Sequence, residues 1–175
     1  MTTLLGISGS LRKEATNTKL IRAAAKIYGA DTFMEGNLNL PLYNGDVEEA
    51  EGTPLGVMAL AKQIEAADAV IISTPEYNKS ISGVLKNALD WVSRTEGSPW
   101  ADKPVAIMSA TAGRAGGERA QFALRLCMTP FRPLILQGPE VLVAQSFNAF
   151  DENGELSENY AKPLTELMDD LKSRT

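Results

Sequence analysis

DAVIISTPEYN, residues 68–78, decides the fold. Ala69–Ser73 is a short run with no polar alternation, bounded by Asp68 before it and Thr74-Pro75 after it. Such a run suits a strand buried on both faces, which is the habit of a parallel sheet. Pro75 disfavours helix at Thr74 and fixes the direction in which the chain leaves the strand. Outward from this strand the pattern repeats. Thr3–Ile7 and Val105–Met108 are similar apolar runs, and Pro133 to Val143 is expected to hold a last strand. Between them lie helix-period segments: Leu20, Ala24, Ile27, Tyr28; then Leu85, Ala88, Leu89, Val92; then Ala120, Ala123, Leu124, Cys127. Tyr160, Leu164, Leu167, Met168 and Leu171 make a closing amphipathic helix, which either starts near Pro163 or kinks there.

A weak strand at Asp31–Met34 and a helix at Leu55–Ala67 complete five strand–helix units. Five such units over residues 1–175 predict one α/β domain, a doubly wound parallel sheet of order 2-1-3-4-5 with helices on both faces, the flavodoxin-like arrangement. On that architecture ligands bind beyond the carboxyl ends of the strands, so the loops after the first, third and fourth strands are the places to look.

Composition narrows the chemistry. The 175 residues contain no histidine, which removes Ser-His-Asp hydrolases, Cys-His proteases and HExxH metalloproteases together. A single cysteine, Cys127, excludes an intramolecular disulfide and a multi-thiolate metal site. A formal charge of -5 without a basic run argues against nucleic acid as a partner. No apolar run is long enough to span a membrane, and MTTLLGISGSLRK lacks the order of a signal peptide, so a cytoplasmic location is expected. An enzyme of this composition would leave its chemistry to an organic cofactor.

The first loop, Gly9 to Thr18, leads into a helix. A helix N-terminus with unpaired N–H groups suits phosphate, with Ser10, Thr16, Asn17 and Thr18 as short donors and Arg12 as a charged one. The loop is neither a Walker A sequence nor a GxGxxG fingerprint. Read alone, it also fits a plain connection with Thr16 as N-cap. The second loop, Thr74 to Gly83, offers the flat face of Tyr77, the amide of Asn78, and Glu76, acting through its backbone or holding the loop's shape. The third, Ser109 to Gly117, has three glycines and small residues that let backbone approach a flat ligand. One phosphate site, one polar-aromatic edge and one glycine-rich edge at the mouth of one sheet have the form of a mononucleotide site, for which FMN is the usual occupant on this fold.

At these residues the chain resembles the NADPH-dependent FMN reductase family, in its chromate and quinone reductase branch. GSLRKEATN (9–17), LPLYNGD (40–46) and TPEYNKSISGVLKNALDWVSR (74–94) carry the resemblance, supported by GRAGGERAQ (113–121). It implies noncovalent FMN, with NADPH or NADH as electron donor. It implies that Ser10, Arg12, Thr16, Asn17 and Thr18 hold the phosphate. Pro75, Glu76, Tyr77 and Asn78 would line the isoalloxazine, and Ser109, Ala110, Thr111 and Gly113 would touch its other edge. Hydride would pass from NAD(P)H to flavin N5, then electrons to a quinone, flavin, ferric, chromate or azo acceptor in ping-pong order. A homodimer or dimer of dimers is also implied. Similar members often carry a Ser-rich or Ser-Pro turn before the loop glycine, where this chain has Ala110-Thr111-Ala112.

Two other readings stay open at this level: a flavodoxin-type one-electron carrier without NAD(P)H activity, and a flavin-free member of the fold. Arg12 and the modest charge weigh against the carrier. The remaining residues take plainer expectations. Cys127 is core on a helix stripe, and Trp91 is placed at a subunit contact. Trp100 fits either a core or a contact, Glu48, Glu49 and Glu51 form a solvated acidic run, and Asn153-Gly154 is a turn.

Overall fold

The computed structural model describes residues 1–175. Its strands are β1 (Thr3–Ser8), β2 (Thr32–Gly36), β3 (Ala69–Thr74), β4 (Pro104–Ala110), β5 (Leu134–Ile135) and β6 (Val141–Val143). Its α-helices are α1 (Thr16–Tyr28), α2 (Gly45–Glu51), α3 (Leu55–Ala66), α4 (Gly83–Val92), α5 (Glu118–Met128) and α6 (Glu158–Lys172). The sheet is parallel throughout, in the order β2-β1-β3-β4-β5, with β6 also paired to β4. This is the predicted flavodoxin-like arrangement.

The central strands explain their own composition. Every residue of β3 is buried, because helices cover both faces. Leu5, Ile7, Val70, Ile72, Val105 and Ile107 point to one side, where Ile64 of α3, Leu85 and Leu89 of α4 and Leu124 of α5 meet them. Leu4, Ile71, Ala106 and Met108 point to the other, against Leu20, Ile21 and Ala24 of α1 and Leu164, Leu167 and Met168 of α6. The period-2 alternation thus divides one strand's side chains between two cores.

Three expectations are corrected. The last strand is two short pieces sharing the same neighbour. Leu134–Ile135 pairs with Pro104–Val105, and Val141–Val143 pairs with Met108–Ala110. Pro139 has no N–H to give to a ladder, and the pairing lapses between the two pieces. The acidic run is solvated, as expected, and it forms a helix, α2: Asn44 caps it by accepting from the Asp46 N–H, and none of its residues is buried, so it shows no periodicity. Trp91 is no subunit contact. It is fully buried, donates its indole N–H to the Pro41 carbonyl at 2.7 Å and stands edge-on to Tyr43. On α5 the inward face is Ala120, Gln121, Leu124 and Met128, so Cys127 is half-buried at its flank. Trp100 falls on the core side of its two readings, 2% exposed. The closing helix begins at Glu158 and runs through Pro163. Asn153-Gly154 is a turn, with Asp151 accepting from the Asn153 N–H. No helix is long and apolar enough to cross a membrane.

Candidate functional site

A cleft of ≈ 750 Å³ opens where β1, β3 and β4 end. Ser10, Arg12, Thr16, Asn17, Pro75, Glu76, Tyr77, Ala110, Thr111 and Gly113 line it. The three predicted loops therefore meet in one place.

They meet because the strands that feed them are adjacent and cross-tied. The Gly9 N–H donates to the Ser73 carbonyl at 2.8 Å, joining the first loop to the end of β3. A Cβ on Gly9 would stand 3.1 Å from Pro75 Cδ and 3.1 Å from Thr74 Oγ1, so a side chain there would press on the second loop. Asn17 makes the deeper tie. Its side chain is 3% exposed and donates to the Ala110 carbonyl at 2.9 Å. Its Oδ1 accepts from Ser73 Oγ at 2.7 Å and from the Ala110 N–H at 3.0 Å. One amide thus fastens α1 to β3 and β4.

At the start of α1, Ala15 occupies the N-cap position, contrary to the alternative that gave it to Thr16, and no side chain caps the helix. The backbone N–H groups of Thr16 and Asn17 find no acceptor in the chain. Uncapped N–H groups at the positive end of a 13-residue helix draw an anion. Thr16 Oγ1 shares a 2.9 Å hydrogen bond with Ser146 Oγ, and Ser10 Oγ accepts from the Arg12 N–H at 3.4 Å. Arg12 is exposed.

The second loop is a tight hairpin. Tyr77 and Ser80 exchange backbone hydrogen bonds of 3.0 and 3.1 Å, and both intervening residues have positive φ, 50° at Asn78 and 71° at Lys79. That is a type I′ turn, for which Asn is favoured at low cost. The turn leaves Tyr77 51% exposed on the cleft wall. Glu76 holds the loop's shape: its carboxylate accepts from the N–H groups of Arg119 and Ala120 at 3.1 and 3.3 Å, at the open end of α5.

Three expected site residues do not line the cleft. Thr18 is one residue too far round the helix and donates inward to Ser8 Oγ at 2.9 Å. Asn78 forms the turn that presents Tyr77 and stays outside the cleft itself. Ser109 is fully buried; its hydroxyl donates to the Gly116 carbonyl at 2.6 Å and accepts from Gln121 Nε2 at 2.9 Å. Asn17 faces the site through its backbone, its side chain being spent on the ties above. Conversely, Ser146, Phe147 and Phe150 line the cleft and were not anticipated, nor were the cations Lys79, Arg114 and Arg119. The segment 146–150 follows the broken fifth strand, and no periodic pattern marks it. Only the fold carries it to β4, where the Ser146 N–H donates to the Thr111 carbonyl at 2.9 Å.

Comparison with known proteins gives one answer. The family model for NADPH-dependent FMN reductase matches residues 2–148. An NAD(P)H-dependent FMN reductase of Pseudomonas aeruginosa is 43% identical over 163 residues, which is 92% of this chain and 88% of the relative. A quinone reductase of Escherichia coli is 42% identical over 154 residues, 85% of this chain and 81% of the relative. Among solved structures, the flavoenzyme NAD(P)H:(acceptor) oxidoreductase FerB of Paracoccus denitrificans is similar with a TM-score of 0.87 at 32% identity. That match covers 99% of this chain and 96% of FerB.

Proposed function

Because the chain belongs to the NADPH-dependent FMN reductase family, we propose that the cleft beyond β1, β3 and β4 is where it holds noncovalent FMN and where NAD(P)H and the acceptor arrive in turn. The chain is an FMN-dependent NAD(P)H oxidoreductase. The observation that carries the site is the uncapped α1 N-terminus, opening with Ser10 and Arg12 into the same cleft as Tyr77 and Gly113.

The residues present fit the cofactor. FMN is a dianionic phosphate at one end and a flat, polar-edged ring at the other. The cleft offers N–H groups and a guanidinium on the first loop, then an aromatic wall and a glycine-bearing loop on the other two. Its volume of ≈ 750 Å³ lies within the roughly 300–1,000 Å³ usual for small-molecule sites. When bound, FMN supplies the redox chemistry, taking hydride from NAD(P)H and returning electrons to an acceptor.

The chain's own part is binding and orientation. The Thr16 and Asn17 N–H groups, Ser10 and Arg12 hold the phosphate. Pro75, Glu76 and Tyr77 face the ring, with Glu76 acting through its backbone while its carboxylate pins the loop to α5. Ala110, Thr111 and Gly113 border the other edge. A quinone is the acceptor we favour, in keeping with the name of the Escherichia coli relative. We further propose that residues 1–175 act as one FMN-binding domain in the cytoplasm. A homodimer or dimer of dimers accords with the apolar side chains left exposed at Leu42, Phe122 and Leu126.

A visible spectrum of the purified protein with FMN, followed by anaerobic NADPH, tests the reading. Flavin bands that shift on binding and bleach in one two-electron step are expected. Bound flavin that NADPH leaves oxidised would favour the one-electron carrier, and free flavin at high protein concentration would overturn the site.

A further inference from the structure

The cleft carries more positive charge than one FMN phosphate uses. Arg12, Lys19, Lys79, Arg114 and Arg119 line it, against Glu14 and Glu76. Glu14 lies 3.6 Å from Lys19, and Glu76 is committed to the α5 N–H groups. Arg12 belongs to the phosphate loop. That leaves Lys79 and Arg114, on the other two loops, and Arg119, in the first turn of α5, in no ion pair. The whole chain is acidic, at -5, so unpaired cations gathered at one mouth mark a place for a second anion.

One of the three lies on a loop that is tied to a segment carrying an exposed aromatic ring. The Gln145 N–H donates to the Gly113 carbonyl at 3.1 Å and the Ser146 N–H to the Thr111 carbonyl at 2.9 Å. These bonds lay the short turn Ser146–Asn148 along the loop that continues into Arg114. Phe147, in the middle of that turn, is 66% exposed and lines the same cleft. An exposed ring on a cleft wall gains nothing inside the chain and offers a stacking face for a base.

We propose that Arg114 and Phe147 form a subsite for the adenosine 2′-phosphate end of NADPH, making the enzyme selective for NADPH over NADH. The proposal rests on the reading of the cleft as the FMN site that NAD(P)H reaches. Phe147 stacks on adenine, which both nucleotides carry. Arg114 pairs with the 2′-phosphate, which only NADPH carries, through the forked geometry a guanidinium offers to phosphate. Stacking therefore serves affinity for either nucleotide, and the cation supplies the discrimination.

The test is calorimetric titration of the FMN-saturated protein with 2′,5′-ADP and, separately, with 5′-AMP. The wild type is expected to bind 2′,5′-ADP at least about tenfold more tightly. Arg114→Gln should bring the two affinities within about twofold of each other, and Phe147→Ala should weaken both alike. The ratio of the KM for NADPH to that for NADH should rise in parallel in Arg114→Gln alone. Both side chains are exposed, so folding is not at stake. Flavin absorbance retained on the protein is read in the same samples. Retained flavin with no preference for 2′,5′-ADP, or a preference that survives Arg114→Gln, overturns the subsite and leaves the FMN site standing. Failure of the wild type to retain flavin overturns both.

Discussion

Asn17 and Arg12 sit five residues apart and do opposite kinds of work. Asn17 is buried and satisfies Ser73 and both backbone groups of Ala110. Its replacement by alanine leaves buried polar groups without partners, each worth about 1–3 kcal/mol. We expect Asn17→Ala to lose about 3 kcal/mol of unfolding free energy in urea titration; a loss below about 0.5 kcal/mol would mean that the three ties carry no net stability. Arg12 is exposed and makes no ion pair inside the chain, so stability has little stake in it. Arg12→Gln should leave the urea midpoint in place and weaken FMN about ten- to a hundredfold in fluorescence titration, the value of a charge-assisted contact to phosphate. Sequence reading named both residues for the phosphate. It could not tell them apart, because the letters do not say which side chain turns inward.

Among the elements, α2 shows how a helix can form with nothing buried. Its Glu48 accepts from Arg94 Nε, beyond the end of α4, at 3.0 Å and from the Tyr43 hydroxyl at 3.0 Å. The hydrogen bond from Arg94 holds the Glu48 carboxyl below the usual carboxylate range, and that from Tyr43 adds to it. A carboxyl depressed in the folded state stabilises above its unfolded pKa, and that stability is lost as pH falls through the folded value. Glu48→Gln should therefore unfold at lower urea than the wild type at pH 7, with the two midpoints converging as pH drops below the ordinary carboxylate range. Equal midpoints at pH 7 would show that the pair is too solvated to matter. The acidic run that encodes this helix reads as solvated surface, since helix periodicity is a record of burial and α2 has none. The second loop is the converse case. Its Tyr77-Asn78-Lys79-Ser80 turn follows from local chemistry, Asn tolerating positive φ, yet Asn78 looked like a ligand because an amide invites that reading.

Over the whole molecule, the arrangement of loops depends on strand order. Residues 10–17, 75–77 and 110–113 converge because β1, β3 and β4 are neighbours in register, Ile7 beside Ile72 and Ile72 beside Ile107. The same scale governs assembly. Leu42, Phe122 and Leu126 are 82%, 58% and 74% exposed, large apolar side chains that the chain itself leaves uncovered. Sedimentation velocity should give a dimer or tetramer mass; a single species at 18.8 kDa would remove the proposed assembly.

What the sequence determined by itself was the sheet and the meeting of its three loops. Uninterrupted apolar runs between amphipathic helices leave a parallel doubly wound sheet as the arrangement that buries them, and ligand sites on that sheet follow from its topology. What only the tertiary structure decided was orientation and the late arrivals. Thr18 and Ser109 turn inward because neighbouring oxygens and Gln121 claim their hydroxyls. Trp91 is buried because the Pro41–Tyr43 segment folds back over it. Ser146, Phe147 and Phe150 reach the cleft only because β6 returns to β4. A residue type states which bonds it can make; the partner it finds depends on chain brought close from far along the sequence, and periodicity holds no record of that.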